Sequence, residues 1–201
     1  MNARTDEELL AQHLAGQAAA IDVLVGRYAN ELFAFLCRFV GNASAAEDLV
    51  QETFLQVHVS AGSFDRSRAF KPWLYTIAAN KGRDFLRARG RRPQVSLDAG
   101  SDEGGGPGQA IAADEPGQHE QLEVSELSER VRAVIDEMPE HLRTILMLGY
   151  YQQLPYAEIA TILGIPVGTV KSRLHAAVNH FARQWRGRTE SRPEDRTVGR
   201  N

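Results

Sequence analysis

The amino-acid sequence predicts an all-α fold of two small helical domains joined by a flexible linker. Three observations lead there. Apolar residues recur at helical spacing in both halves of the chain, with no alternating β pattern and no long repeat. Between the halves, Asp98–Gly117 holds Gly100, Gly104, Gly105, Gly106, Pro107, Gly108, Pro116 and Gly117 among acidic residues. That composition buries too little surface to offset its ordering entropy. Residues 154–175 then read as a helix, a tight turn and a second helix. The expected division is a first module over 1–92, a linker over 93–121, a second module over 122–187 and a disordered tail over 188–201.

In chain order, the first long helix is expected over about Ile21–Val40. Ser44-Ala-Ala-Glu47 reads as a capping box that starts the next helix, since Glu stands three residues after Ser. That helix places Ala46, Leu49, Val50, Thr53, Phe54 and Val57 on one face. A third runs from Pro72 to about Arg89, and proline suits a first helical turn because it leaves no amide hydrogen unpaired. Beyond the linker, Val124, Leu127, Val131, Val134, Ile135 and Met138 form a periodic stripe, followed by a helix over Pro139–Tyr151. A short helix, Tyr156–Leu163, stops at Gly164, which fits the left-handed position after a helix. Ala160 is small enough for two helices to cross closely, and Ile159, Leu163, Ile165, Val170 and Leu174 supply the wedge between them. This is a helix-turn-helix, whose second helix fits the major groove.

Composition narrows the function classes. The 201 residues are 43% hydrophobic, yet no apolar run approaches the roughly 18 residues of a membrane span. The acidic N-terminus lacks the pattern of a secretory signal, so a cytoplasmic protein without membrane insertion is expected. The lone Cys37, within an apolar stretch, reads as a small core hydrophobe, which suits a reducing compartment. The six histidines lack metal-ligand spacing, and nothing completes a site around His175 and His180. There is no nucleophile elbow, metal cluster or phosphate loop, so neither a cofactor nor an enzyme is expected.

The net charge of −3 hides a strong segregation. Residues 1–60 carry three basic and eight acidic side chains, whereas residues 62–92 carry nine basic and two acidic. Residues 93–129 hold nine acidic residues and neither Lys nor Arg. A basic block thus abuts an acidic one, and the whole has little reach for free DNA.

Candidate contact residues follow from these faces. Asp48, Gln51, Glu52 and Leu55 fall at i, i+3, i+4 and i+7, opposite the apolar stripe, and suit a basic partner helix. Phe64, Phe70, Trp73 and Tyr75 are interleaved with Arg66, Arg68, Lys71, Lys81, Arg83, Arg87 and Arg89. Single-stranded nucleic acid requires this mixture, since rings stack on bases while cations follow phosphates. Trp73, Leu74, Ile77 and Ala78 also fit packing, so the polar loop Gly62–Ala69 is the better candidate for gripping an extruded base. Asn80, Arg83 and Arg87 share one helix face.

Two motifs carry a resemblance to a known family. Ala46-Glu-Asp-Leu-Val-Gln-Glu-Thr-Phe54, followed by Phe70-Lys-Pro-Trp-Leu-Tyr-Thr-Ile-Ala-Ala-Asn80 and Arg87, closely resembles region 2 of bacterial extracytoplasmic-function sigma factors of the sigma-70 family (group 4). The helix-turn-helix with Gly168-Thr-Val-Lys-Ser-Arg-Leu-His175 resembles their region 4. The resemblance covers about Asp22–Arg92 and Val124–Arg186.

It implies a dissociable subunit of bacterial RNA polymerase that directs the core enzyme to promoters for transcription initiation. Asp48, Gln51, Glu52 and Leu55 would dock on core polymerase. Phe64, Arg66, Arg68, Lys71, Trp73, Asn80, Arg83 and Arg87 would open and hold the −10 element as single strand. Gly168, Thr169, Lys171, Ser172, Arg173 and His175 would read the double-stranded −35 element. The linker would lie along the RNA exit path, and an anti-sigma factor is the expected restraint. Two departures stand out: Pro166 replaces the usual capping Ser, and Ala176, Ala177, Val178 and Asn179 follow His175 where arginines are usual. Arg183 and Arg186 remain as cations further along. The competing expectation is a helix-turn-helix regulator that binds DNA without polymerase.

Overall fold

The computed structural model describes residues 4–91 and 118–190, and in them the chain is helical. A capping box at Thr5 and Glu8 opens α1 (Asp6–Leu14). Helix α2 (Ala19–Val40) ends at left-handed Gly41, and α3 (Ala43–Ser60) follows at once. The cap of α3 is not the expected Ser44. Asn42 takes extended backbone, φ −145°, and its side chain accepts the Ala45 N–H at 2.7 Å. Gly41 has already turned the chain, so the cap falls two residues earlier and Ser44 lies inside the first turn. A short 3₁₀ turn (Ala61–Ser63) and an irregular loop then lead to α4 (Phe70–Arg91), with Pro72 in its first turn as expected.

The core of this module lies among α1, α2, α3 and α4. Leu24, Leu32, Phe35, Leu36 and Phe39 of α2 meet Leu49, Phe54 and Val57 of α3 and Phe70, Leu74, Tyr75 and Ala78 of α4, all buried. Helix α4 approaches α2 so closely at Gly82 that an added Cβ would stand 2.6 Å from the Phe39 ring. The stripe expected on α3 is buried except for half-buried Val50.

Helix α5 (Gln118–Asp136) begins inside the segment expected as linker. Val134, Ile135 and Met138 are buried, whereas Leu127 is 48% exposed, so the stripe meets the core only at its C-terminal end. The side chain of Val124 lies outside the described residues. The expected helix over 139–151 is divided into α6 (Glu140–Leu146) and a π-helical turn (Met147–Tyr151). Helices α7 (Tyr156–Leu163) and α8 (Val167–Glu190) form the helix-turn-helix. Helix α8 runs three residues into the expected tail, and Arg188 forms an ion pair with Glu137. Residues 191–201, and the linker over 93–117, lie outside the described residues.

The two modules pack against each other. Helix α4 lies on α7, and the π turn lies on α2. Arg143 of α6, buried in the seam, donates to the Phe39 carbonyl at 3.3 Å and to the Asp136 carbonyl. Arg132 donates to the Gly41 carbonyl, and the Tyr75 hydroxyl lies 3.1 Å from Gln152 Oε1. Arg38 stacks over the Tyr151 ring at 5.1 Å. Orphan carbonyls at the end of α2 are thus satisfied by guanidinium groups from the second module.

Candidate nucleic-acid interface

The turn of the helix-turn-helix is built as its residues require. Gly164 sits at φ 63°, and the Ile165 N–H reaches back to the Ala160 carbonyl at 3.0 Å. Such a bond closes the last turn and needs the left-handed residue between. Ile159, Ala160, Ile162, Val170 and Ala177 are buried beneath it, and Gly149 of the π turn comes within Cβ contact of Leu174. This anchors α8 through one face and leaves the other to solvent. Gly168, Lys171, Ser172, Arg173 and His175 are exposed there and Thr169 is half-buried, so the predicted −35 residues share one accessible surface. His141 and Leu142 of α6 border the same groove as Ser172, Arg173 and Ala176. His141 was missed because it lies 31 positions before Ser172 in sequence.

The predicted −10 residues are more dispersed. Arg66 and Arg68 project from the loop, where Asp65 accepts the Ser67 N–H at 3.0 Å and hydroxyl at 2.7 Å. Those two bonds, with Arg68 nearby, hold the Asp65 carboxyl below its usual range. Phe64 and Trp73 are half-buried and face each other at 4.8 Å between ring centroids, while Phe70 and Tyr75 are fully buried and unavailable for stacking. Lys71, about a third exposed, bonds Glu31 of α2 at 2.8 Å. Asn80 and Arg83 bond each other on the outer side of α4. Arg87 forms a two-pronged contact with Glu140 of the second module, at 3.1 and 3.2 Å. Lys71 and Arg87 stand sixteen helical steps apart on α4, a span of roughly 24 Å.

On α3, Asp48, Gln51, Glu52 and Leu55 are all exposed on the side away from the core. Glu52 pairs with Lys81 of α4 at 2.9 Å. Leu55 is 63% exposed, and Val59, one turn further, is 70% exposed. Val59 was omitted from the face although its i+4 spacing from Leu55 already signals it. Cys37 is a half-buried free thiol. Among the described residues no helix is long and apolar enough to cross a membrane.

Comparison with known proteins gives the family. The Sigma-70 region 2 family model matches residues 24–92, and the Sigma-70 region 4 model matches residues 128–181. The RNA polymerase sigma-H factor of Pseudomonas aeruginosa is 36% identical over 172 residues, covering 86% of this chain and 89% of that protein. The ECF RNA polymerase sigma factor SigW of Bacillus subtilis is also 36% identical, over 173 residues, covering 85% of this chain and 91% of the relative. Among solved structures, CnrH in complex with the cytosolic domain of CnrY shares the fold, with TM-score 0.66 and 22% identity over 90% of this chain and 97% of that one. The sigma factor RpoE in complex with the anti-sigma factor NepR, from Bartonella quintana, aligns with TM-score 0.59 and 25% identity over 82% of this chain and 96% of that one. With both regions matched in order on the helices that carry the exposed basic faces, the chain belongs to the sigma-70 family, as an RNA polymerase sigma factor of the extracytoplasmic-function type.

Proposed function

We propose that this sigma factor divides promoter recognition among three surfaces. The outer face of α3, with Asp48, Gln51, Glu52 and Leu55, docks on bacterial core polymerase. The loop over 62–69 and helix α4 hold the unpaired −10 strand through Phe64, Arg66, Arg68, Lys71, Trp73, Asn80, Arg83 and Arg87. The exposed end of α8, Gly168 to His175, reads the −35 element in the major groove, with Arg173 the strongest base-edge candidate. The carrying observation is that the α3 and α8 faces lie opposite buried stripes and are exposed, while Arg66 and Arg68 stand exposed beside half-buried Phe64 and Trp73.

The protein acts without a catalytic residue or cofactor of its own, in the cytoplasm, where polymerase supplies the effective concentration that its weak net charge does not. An anti-sigma factor is the proposed restraint, since the solved relatives include a complex with one. The reading includes opening of the α4–α7 seam when both promoter elements are engaged. Run-off transcription with bacterial core enzyme on a genomic fragment library tests the reading. New transcripts that appear only when the chain is added support it. Equal sequence-specific binding with and without core, and no transcript, would establish the polymerase-independent regulator instead.

A further inference from the structure

Helix α4 begins without a local side-chain cap. The residue before it is Ala69, which has no acceptor to offer the first amides of the helix. The acceptor comes from 63 residues away: Glu7 of α1 takes the Phe70 N–H on Oε1 at 2.8 Å. The other end of α1 reaches the other foot of the same loop. His13 Nε2 and His58 Nδ1 are 2.9 Å apart, and His58 lies near the end of α3, just before the chain leaves for the loop. Glu7 and His13 stand six helical steps apart, a fixed span of about 9 Å.

Helix α1 is itself firmly held. Leu9 and Leu10 are 1% and 2% exposed, and Asp6 bonds Arg27 of α2 at 2.6 Å and also accepts the Tyr28 hydroxyl. The bracketed loop, by contrast, leaves Asp65, Arg66, Ser67 and Arg68 exposed; Ala61 is buried at its start and Phe64 is tucked in against Phe70 and Trp73. A loop anchored at both feet by one rigid rod has its width set by that rod, whatever its tip contacts.

We propose that α1 is a bracket for the 61–69 loop, and that Glu7 and His13 are positioning residues for the capture of an unpaired −10 base by that loop. The proposal rests on the −10 assignment above. Glu7 and His13 touch no nucleic acid in it; they act through Phe70 and His58. The carboxylate of Glu7 serves as an acceptor, so Glu7→Gln retains the function and Glu7→Ala loses it.

Two measurements on the full chain test this. Amide hydrogen exchange reports the bracket alone: Glu7→Ala accelerates exchange across residues 61–70 and leaves α7 and α8 unchanged, and an unaltered 61–70 segment overturns the proposal. The second uses holoenzyme on a pre-opened promoter bubble, with abasic sites placed singly along the non-template −10 strand. In the wild type, one abasic position weakens binding by about tenfold; in Glu7→Ala the intact bubble is already weaker by about that factor and the abasic penalty disappears. Glu7→Gln restores both. An abasic penalty undiminished in Glu7→Ala overturns the proposal, because general destabilisation would not erase sensitivity to one base. His58→Ala, at an exposed position on the opposite foot, repeats the test should Glu7→Ala fold poorly, with the same two outcomes. A wild-type holoenzyme that binds no bubble would refute the −10 assignment, while the exchange experiment still decides on the bracket.

Discussion

Gly82 shows what a single residue decides here. It faces the Phe39 ring, where a methyl group would come within 2.6 and 2.7 Å of two ring carbons. Gly82→Ala is expected to destabilise the chain by about 1–3 kcal/mol in urea denaturation, although alanine is the better helix former in isolation. Asp65 gives a pH-dependent counterpart. Its carboxyl is held below the usual value by the Ser67 hydroxyl and N–H, so the turn is fully formed above the model-compound value of 3.8 and is lost as pH falls through the lower native value. The Ser67 amide resonance should therefore hold its shift down to about pH 4 and move toward random coil below it. Some residue roles could not be read from neighbours in sequence. Arg143, in Leu142-Arg-Thr-Ile-Leu146, looks like the polar face of a helix, yet it is 6% exposed. Its acceptors belong to Phe39 and Asp136, one of them 104 positions away. Burial lowers its affinity for the proton, with Asp136 and Glu140 acting in the opposite direction.

At the scale of elements, periodicity located the long helices, but it missed α1, whose nine residues bury only Leu9 and Leu10, and it failed at helix ends, where caps decide. Asn42→Ala should cost about 1 kcal/mol of stability and Ser44→Ala almost nothing, measured by thermal or chemical unfolding. The reverse result would restore the capping box. The helix-turn-helix was legible almost residue by residue, since its left-handed glycine, small residue and wedge are all local in sequence. The π turn was not, because an extra residue within a helix leaves the apolar pattern nearly unchanged. On α8, Arg173→Ala should weaken −35 binding by the equivalent of about 1–3 kcal/mol and leave opening of a −10 bubble intact, as seen by footprinting on both templates. On α3, the exposed face with Asp48, Gln51, Glu52 and Leu55 was legible from spacing, and Val59, exposed one turn further, was overlooked.

At the scale of the whole molecule, the two helical domains expected from the sequence are present, and among the described residues they also pack together into one buried cluster. The reason lies in groups that only the fold brings together: carbonyls at the end of α2, and the guanidinium groups of Arg132 and Arg143. Labels at Val23→Cys and Val178→Cys, in a Cys37→Ala background, should report a short, narrow distance in the free chain and a longer one in the promoter complex. An unchanged distance would mean that both elements are read from the packed form. The bond between Arg87 and Glu140 has a further consequence, for ions. A cation arriving on a phosphate displaces about 0.9 of a counterion from duplex DNA and about 0.7 from a single strand. If Arg87 meets the −10 strand as proposed, it arrives already neutralised, and the Glu140 carboxylate it abandons gathers a cation from solution in exchange. Net ion release on promoter binding is thereby smaller than the number of basic side chains engaged, and the affinity should fall less steeply with added salt than that number implies.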